Sequence, residues 1–287
     1  MKSSTTLVTT VTTPPLYQDF ITYKKASKGL TKSGEVWFGA TILPFLTWLP
    51  NAHVQNITEV TSNTVVEFLG QFNHMPWRKH GYYRALRSFF KWISTTYKVA
   101  NPFIDQFGNP TIEPPKVPQK LLYTLEPEKI GQLIQAAEGL RNKALISLLA
   151  DSGARRSELA SIKMSDLDMD KCRIKVWGKG GKQGWLIFGP TTKRLLAAYI
   201  EEQSPNDSLF QLNTYGVQSM LRRLGEKVGF NCSAHSFRRG FATELRKQGL
   251  SELDIAELGR WSSTEMVRRY SRAYTFEDAA SRYKAIV

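Results

Sequence analysis

Between Leu16 and about Ala100 the apolar positions recur at helical spacing, with breaks at Gly29, Pro50, Asn73 and Pro76. Residues 82–98 show the pattern most clearly. At about 100° per residue, Tyr82, Leu86, Phe89, Phe90, Ile93 and Tyr97 fall on one side of a helix. Arg84, Arg87, Lys91 and Lys98 fall on the other. The apolar stripe predicts a core-facing side; the basic stripe predicts either an ordinary solvated face or a contact with DNA backbone. The pattern stops at residues 101–120, NPFIDQFGNPTIEPPKVPQK, which hold five prolines. Proline fixes φ and has no amide donor, so this stretch predicts an extended linker and a domain boundary. Helical periodicity resumes at Leu125, with Pro127 suited to a first turn. Residues 144–150 read as a buried helix closed by Asp151-Ser152-Gly153. Two short β-branched and aromatic runs, 172–177 and 185–188, flank a glycine-rich turn and predict a β-hairpin. From Thr191 onward the pattern is helical again.

The predicted fold is therefore mainly α with a small antiparallel β-hairpin or sheet, an α+β chain in four parts. Residues 1–15 form a Thr-rich, disordered tail ending at Pro14-Pro15. Residues 16–100 form a helical domain, 101–120 the linker, and 121–287 a second domain. A length of 287 residues allows two cores. The net charge of +14 changes the picture more, because a chain this basic repels itself unless it meets a polyanion. No long charge-free apolar run is present to span a membrane, and the tail has no apolar segment of the secretory type. Cys172 and Cys232 stand apart without ligand spacing, which disfavours a disulfide framework and a zinc site. The expected compartment is the cytoplasm, and no cofactor or metal is expected.

The sequence Gly178-Lys179-Gly180-Gly181-Lys182-Gln183 invites a phosphate-loop reading, but it lacks the Ser or Thr after the lysine and the helix after that. What remains is a glycine turn that carries lysine into a partner, or a plain exposed turn. His235 and Arg238 lie three apart on a predicted helix with Ser233 available as N-cap, so they share a face. Arg155 follows a glycine at a helix end, with Glu158 as a local partner. Taken singly, each cation reads as a surface residue. Together with Tyr270 they form a different set. A tyrosine nucleophile, two arginines, a lysine and a histidine are equipment for cutting a DNA strand without a metal.

Box by box, the chain resembles the tyrosine recombinase family of phage integrases and Xer enzymes. Gly153-Ala154-Arg155-Arg156-Ser157-Glu158-Leu159 is similar to that family's first arginine box. Val176-Trp177-Gly178-Lys179-Gly180 resembles its hairpin lysine box. His235-Ser236-Phe237-Arg238-Arg239-Gly240-Phe241-Ala242-Thr243 resembles its second arginine box. Residues 255–261 and Arg269-Tyr270 resemble its last box without a gap. Ala154, Phe237 and Arg239 depart from the usual residues. Trp261 stands where most members carry histidine and Cre-like members tryptophan, with Arg260 the competing donor one residue out of register.

The resemblance implies a helical core-binding domain before a catalytic domain, and a site-specific recombinase or integrase working through a 3′-phosphotyrosyl intermediate. The implied catalytic set is Arg155, Lys179, His235, Arg238, Trp261 and the nucleophile Tyr270. Lys182, with Arg84, Arg87 and Lys91 of the N-terminal domain, is expected to touch DNA backbone. Double-stranded DNA is the implied partner, bound by a homo-tetramer with a dimer on each recombining site, with room for accessory DNA-bending proteins at the nucleoid. The last segment, Thr275–Val287, is expected to form a helix with Phe276, Ala279, Ala280, Tyr283 and Ile286 on one stripe, which the resemblance implies docks on a neighbouring protomer, docking on its own domain being the alternative. The competing readings are a type IB topoisomerase-like or end-resolving strand transferase and a catalytically silent DNA-binding protein.

Overall fold

The computed structural model describes residues 14–118, 123–178, 181 and 183–284. The fold is mainly helical with one small antiparallel sheet, as the sequence predicts. The chain divides into two compact units, Met1–Gln119 and Lys120–Val287.

The first unit is built from α1 (Pro14–Lys28), α2 (Lys32–Trp48), α3 (Ser62–Gly70) and α4 (Pro76–Tyr97). Pro14 and Pro15 do not close a tail. They open α1, where a missing amide hydrogen costs nothing because the first turn has no intrahelical acceptor for it. The rest of the expected tail, residues 1–13, lies outside the described residues. On α4 the predicted stripe of Tyr82, Leu86, Phe89, Phe90 and Ile93 is buried, while Arg84, Arg87 and Lys91 are exposed. The core is rich in edge-to-face aromatic pairs, such as Phe20 with Phe89 at 5.3 Å and Phe45 with Phe68 at 5.1 Å. Each such pair adds about 0.5–1.5 kcal/mol beyond its buried area.

The proline-rich stretch is not an open spacer along its whole length. Phe103 and Ile112 are buried in the first unit's core. The Tyr83 hydroxyl donates to the Ile112 carbonyl at 3.2 Å, and the Asp105 carboxylate accepts the amide hydrogens of Phe107 and Asn109. Proline removes ladder donors but leaves the apolar side chains beside it free to seek a core, and here that outweighs the extended bias.

The second unit runs α5 (Pro127–Ala136), α6 (Gly139–Ser152), α7 (Arg156–Ala160), β1 (Leu167–Asp168), β2 (Arg173–Trp177) and β3 (Gln183–Ile187). It continues with α8 (Pro190–Gln203), α9 (Thr214–Val228), α10 (Ala234–Lys247), α11 (Glu252–Gly259), α12 (Thr264–Tyr270) and α13 (Phe276–Ala280). The strands pair antiparallel in the order β1-β2-β3, with Ile174 opposite Leu186 and Val176 opposite Gly184. Ile174, Val176 and Leu186 are buried against the helices, while Trp177, Trp185 and Ile187 are exposed, the alternation of a sheet wet on one face. Strand β1, two residues long, is too short to leave a periodic signal. The Asp151 carboxylate ties the end of α6 to the start of α8, accepting from the Gly189 amide at 2.8 Å and the Thr192 hydroxyl at 2.5 Å.

Candidate active site

Helix α6 ends at Gly153, whose φ of +54° is left-handed. A Cβ there would also lie 2.6 Å from a ring carbon of Phe241. Both facts require glycine. The turn delivers Arg155 to the N-cap position of α7, and Glu158 reaches back to accept the Arg155 amide hydrogen at 2.8 Å. The Arg155 guanidinium donates to the other Glu158 oxygen at 2.5 Å and to the Arg260 carbonyl at 2.7 Å. Glu158 is buried, which alone would raise its pKa. The charge of Arg260, then the amide and guanidinium of Arg155, outweigh that and hold the carboxyl below its ordinary range.

Ser233 caps α10 as the sequence predicts, its hydroxyl accepting the Ser236 amide hydrogen. His235 and Arg238 therefore lie on adjacent turns of one face. Arg238 is only 2% exposed. Its two terminal nitrogens donate to the carbonyls of Gly153 and Gly259, and its guanidinium carbon sits 4.2 Å from the centre of the Trp261 ring. Burial, then the nearby Arg155 and Arg260, push its pKa below that of an ordinary arginine, while the guanidinium stays charged at neutral pH.

Trp261 lies in the turn after α11, and Tyr270 ends α12. Gly259 is flush against the indole: a Cβ there would stand 1.9 Å from a Trp261 ring carbon. The Trp261 ring packs 5.3 Å from that of Tyr270, and its buried Nε1–H has no acceptor among the described residues. The Tyr270 hydroxyl lies 3.4 Å from Nδ1 of His235. Partial desolvation, then the charges of Arg239, Arg238, Arg156 and Arg155, lower the pKa of His235, so its imidazole is neutral and able to accept a proton at neutral pH.

Five of the residues singled out in the sequence, Arg155, His235, Arg238, Trp261 and Tyr270, thus line one cavity of about 880 Å³. Arg156, Gln218 and Arg222 form another part of its wall. The arrangement presents two forked cations and an indole donor beside a phenol and a neutral imidazole. Such a set can grip a tetrahedral anion and move one proton. Among the described residues no cluster of three or more metal-binding side chains is present, and no helix is long and apolar enough to cross a membrane.

The backbone sends the side chains of Arg260 and Trp261 in different directions. Arg260 has a left-handed φ of +55°, and its side chain turns to Glu158 and to the carbonyls of Ser152, Trp185 and Leu258. Trp261 is the one whose ring lies against Arg238 and Tyr270. Lys179 and Lys182 lie outside the described residues. Arg84, Arg87 and Lys91 stand on α4 of the first unit, with Arg84 over the Trp37 ring. Sequence reasoning missed two further cations beside them. Lys24 and Lys28 of α1 are close enough to influence one another, and Lys91 acts on Lys24; burial, then these like charges, lower the Lys24 pKa. The run Lys24-Lys25 with Lys28, one helical turn on, was the available signal.

A helical unit followed by a second unit that gathers a phenol, two arginines and an imidazole in one cavity defines a class, that of DNA strand transferases with a tyrosine in the site. Residues 123–276 match the phage integrase family. The chain is 29% identical over 265 residues to the tyrosine recombinase XerC of Anoxybacillus flavithermus, spanning 83% of this chain and 86% of that protein. It is 30% identical over 212 residues to XerC of Staphylococcus epidermidis, spanning 64% of this chain and 71% of that one. The solved structure of the XerH site-specific recombinase bound to a palindromic difH substrate, a post-cleavage complex, shares the fold. Its TM-score is 0.70 at 20% identity, over 93% of this chain and 84% of XerH. The chain belongs to the phage integrase family and is a tyrosine-type site-specific recombinase.

Proposed function

We propose that the enzyme exchanges DNA strands through a 3′-phosphotyrosyl link to Tyr270. The observation that carries this is the meeting of the Tyr270 hydroxyl, His235, Arg155, Arg238 and Trp261 at one cavity. The phenolic oxygen attacks the scissile phosphorus while its proton passes to His235. Arg155 and Arg238 hold the non-bridging oxygens as charge builds on them, and the free indole N–H of Trp261 adds a donor. The phosphorus–O5′ bond breaks, and Lys179 gives the departing oxygen its proton, a role that rests on the hairpin motif. A 5′-hydroxyl then attacks the phosphotyrosine, restores a phosphodiester and returns the phenol. One ester replaces another at each step, so the bond energy is kept.

Double-stranded DNA is the proposed substrate, a reading supported by the XerH relative, which is bound to a palindromic difH substrate. Recombining plasmids that carry the gene's native flanking sequence are the test. Purified protein is expected to yield recombinant circles. Relaxed topoisomers alone would favour a topoisomerase-like strand transferase, and a shifted band alone a silent binder. The proposed setting is the cytoplasm, at the nucleoid, with accessory DNA-bending proteins.

Arg84, Arg87 and Lys91 are proposed to contact the DNA backbone, as is Lys182. Since each phosphate contact contributes about −0.9 to the slope of log affinity against log salt, replacing all three first-unit residues by alanine should flatten that slope by roughly 2–3. Fluorescence anisotropy across a salt series measures it, and an unchanged slope would make the stripe ordinary surface.

A homo-tetramer, with a dimer on each site, is proposed to exchange the strands. Supporting this, α13 turns Asp278 toward Lys247 at 3.6 Å but leaves Phe276 80% exposed, and Tyr283, in the turn past the helix end, is 70% exposed. Ala279 and Ala280 are exposed beside them, while Ile286 lies outside the described residues. Deleting residues 276–287 should spare binding to one half-site and weaken assembly on a full site. Native gel shifts on the two DNAs separate these outcomes; normal assembly by the truncated protein would remove the tail from the interface.

A further inference from the structure

Glu158 has two oxygens, and three donors converge on them. Oε1 takes the Arg155 guanidinium at 2.5 Å, while Oε2 takes the Arg155 amide at 2.8 Å and the Arg260 guanidinium at 3.2 Å. The Glu158 side chain is 1% exposed and that of Arg260 11%, so this pairing is screened little by water. Arg260 holds Arg155 a second way, its own carbonyl accepting from the Arg155 guanidinium at 2.7 Å. The Arg260 side chain is itself tethered by the carbonyls of Leu258 at 2.7 Å, Trp185 at 3.0 Å and Ser152 at 3.1 Å. Strand β3 makes room for it: a Cβ on Gly184 would lie 2.8 Å from Cδ of Arg260. An arginine holding a left-handed φ at a helix end is unfavourable in itself and persists because its surroundings over-determine it.

We infer that Arg260 is a positioning residue for Arg155, acting through Glu158 and through its own backbone carbonyl, with no contact to the DNA. A guanidinium has five donors, and Arg155 spends one on Glu158 and one on the Arg260 carbonyl. The fork is thereby fixed in orientation while donors remain for a phosphate oxygen. Lysine cannot replace Arg260, because a single ammonium on a flexible stem cannot span Glu158 and carbonyls on two other elements. The inference deepens the proposed clamp and rests on Arg155 gripping a non-bridging oxygen.

The test is single-turnover cleavage by the full-length protein on nicked duplex taken from the native flanking DNA. One duplex carries an ordinary scissile phosphodiester and the other a methylphosphonate, in which a methyl group replaces one non-bridging oxygen and removes the charge. Arg260→Gly suits the left-handed backbone and so tests the side chain without adding strain. It should cleave the ordinary duplex roughly 10²-fold more slowly, the scale of a misplaced reacting group, with DNA affinity nearly unchanged. On the methylphosphonate, which needs less charge stabilisation, most of that penalty should vanish, as it should for Arg155→Ala. Arg260→Lys should behave like Arg260→Gly; parental activity in it would overturn the inference. Equal penalties on both duplexes for Arg260→Gly, with relief in Arg155→Ala, would overturn this inference alone by reducing Arg260 to a stabilising residue. Absence of relief in Arg155→Ala would overturn the clamp reading and this inference with it.

Discussion

Tyr270→Phe protein is expected to form no covalent adduct with DNA while binding it nearly as well as the parent. The hydroxyl is the atom removed, and the ring that packs against Trp261 is kept. The site should therefore hold its shape, and the loss should be confined to bond formation. Incubation with a nicked duplex that traps the cleaved product, followed by a denaturing gel, reads the adduct directly. Competing phenols make the test sharp. Tyr274 lies over Arg246 and Tyr283 is exposed on the last segment. An adduct surviving in the Tyr270→Phe protein would move the nucleophile to one of them.

Arg238→Lys is expected to lose cleavage by about 10²–10³-fold, the scale of removing one preorganised donor from a developing anion. Charge is preserved in this variant, so the loss isolates geometry. In the parent the guanidinium spans the carbonyls of Gly153 and Gly259 and packs over the Trp261 ring. An ammonium can satisfy one of those carbonyls at most with the same reach. The other is left buried without a donor, at a cost of about 1–3 kcal/mol. Thermal melting should therefore drop together with the single-turnover rate. Cleavage near the parental rate would show that charge alone suffices at this position.

Much of this was legible in the sequence, for a physical reason. Helix α4 carries its solvent and core faces as a 3.6-residue period, so its buried stripe could be read position by position. The caps at Ser233 and Gly153 follow from local chemistry that needs no tertiary information. The five cavity residues sit in boxes whose residue types already suggest one reaction. Other features depend on distant parts of the chain and left no local trace. The prolines of 101–120 speak for an extended path, but Phe103 and Ile112 find a core that only folding creates. Arg260 and Trp261 are adjacent in sequence, and nothing local says which faces the cavity. A left-handed φ and a carboxylate about a hundred residues upstream decide it.

The two carbonyls that hold Arg238 belong to glycines that also close helices α6 and α11. Helix C-termini carry partial negative charge, so they offset part of the repulsion among Arg155, Arg238 and Arg260 before any DNA arrives. The free protein can thus keep its cations gathered without a counter-ion from the substrate. Neither glycine tolerates a side chain, since one would strike Phe241 and the other Trp261. Damage at either position therefore reaches stability and chemistry in a single step. Replacing either glycine by alanine is expected to lower the melting temperature and the cleavage rate together, where most substitutions would separate the two.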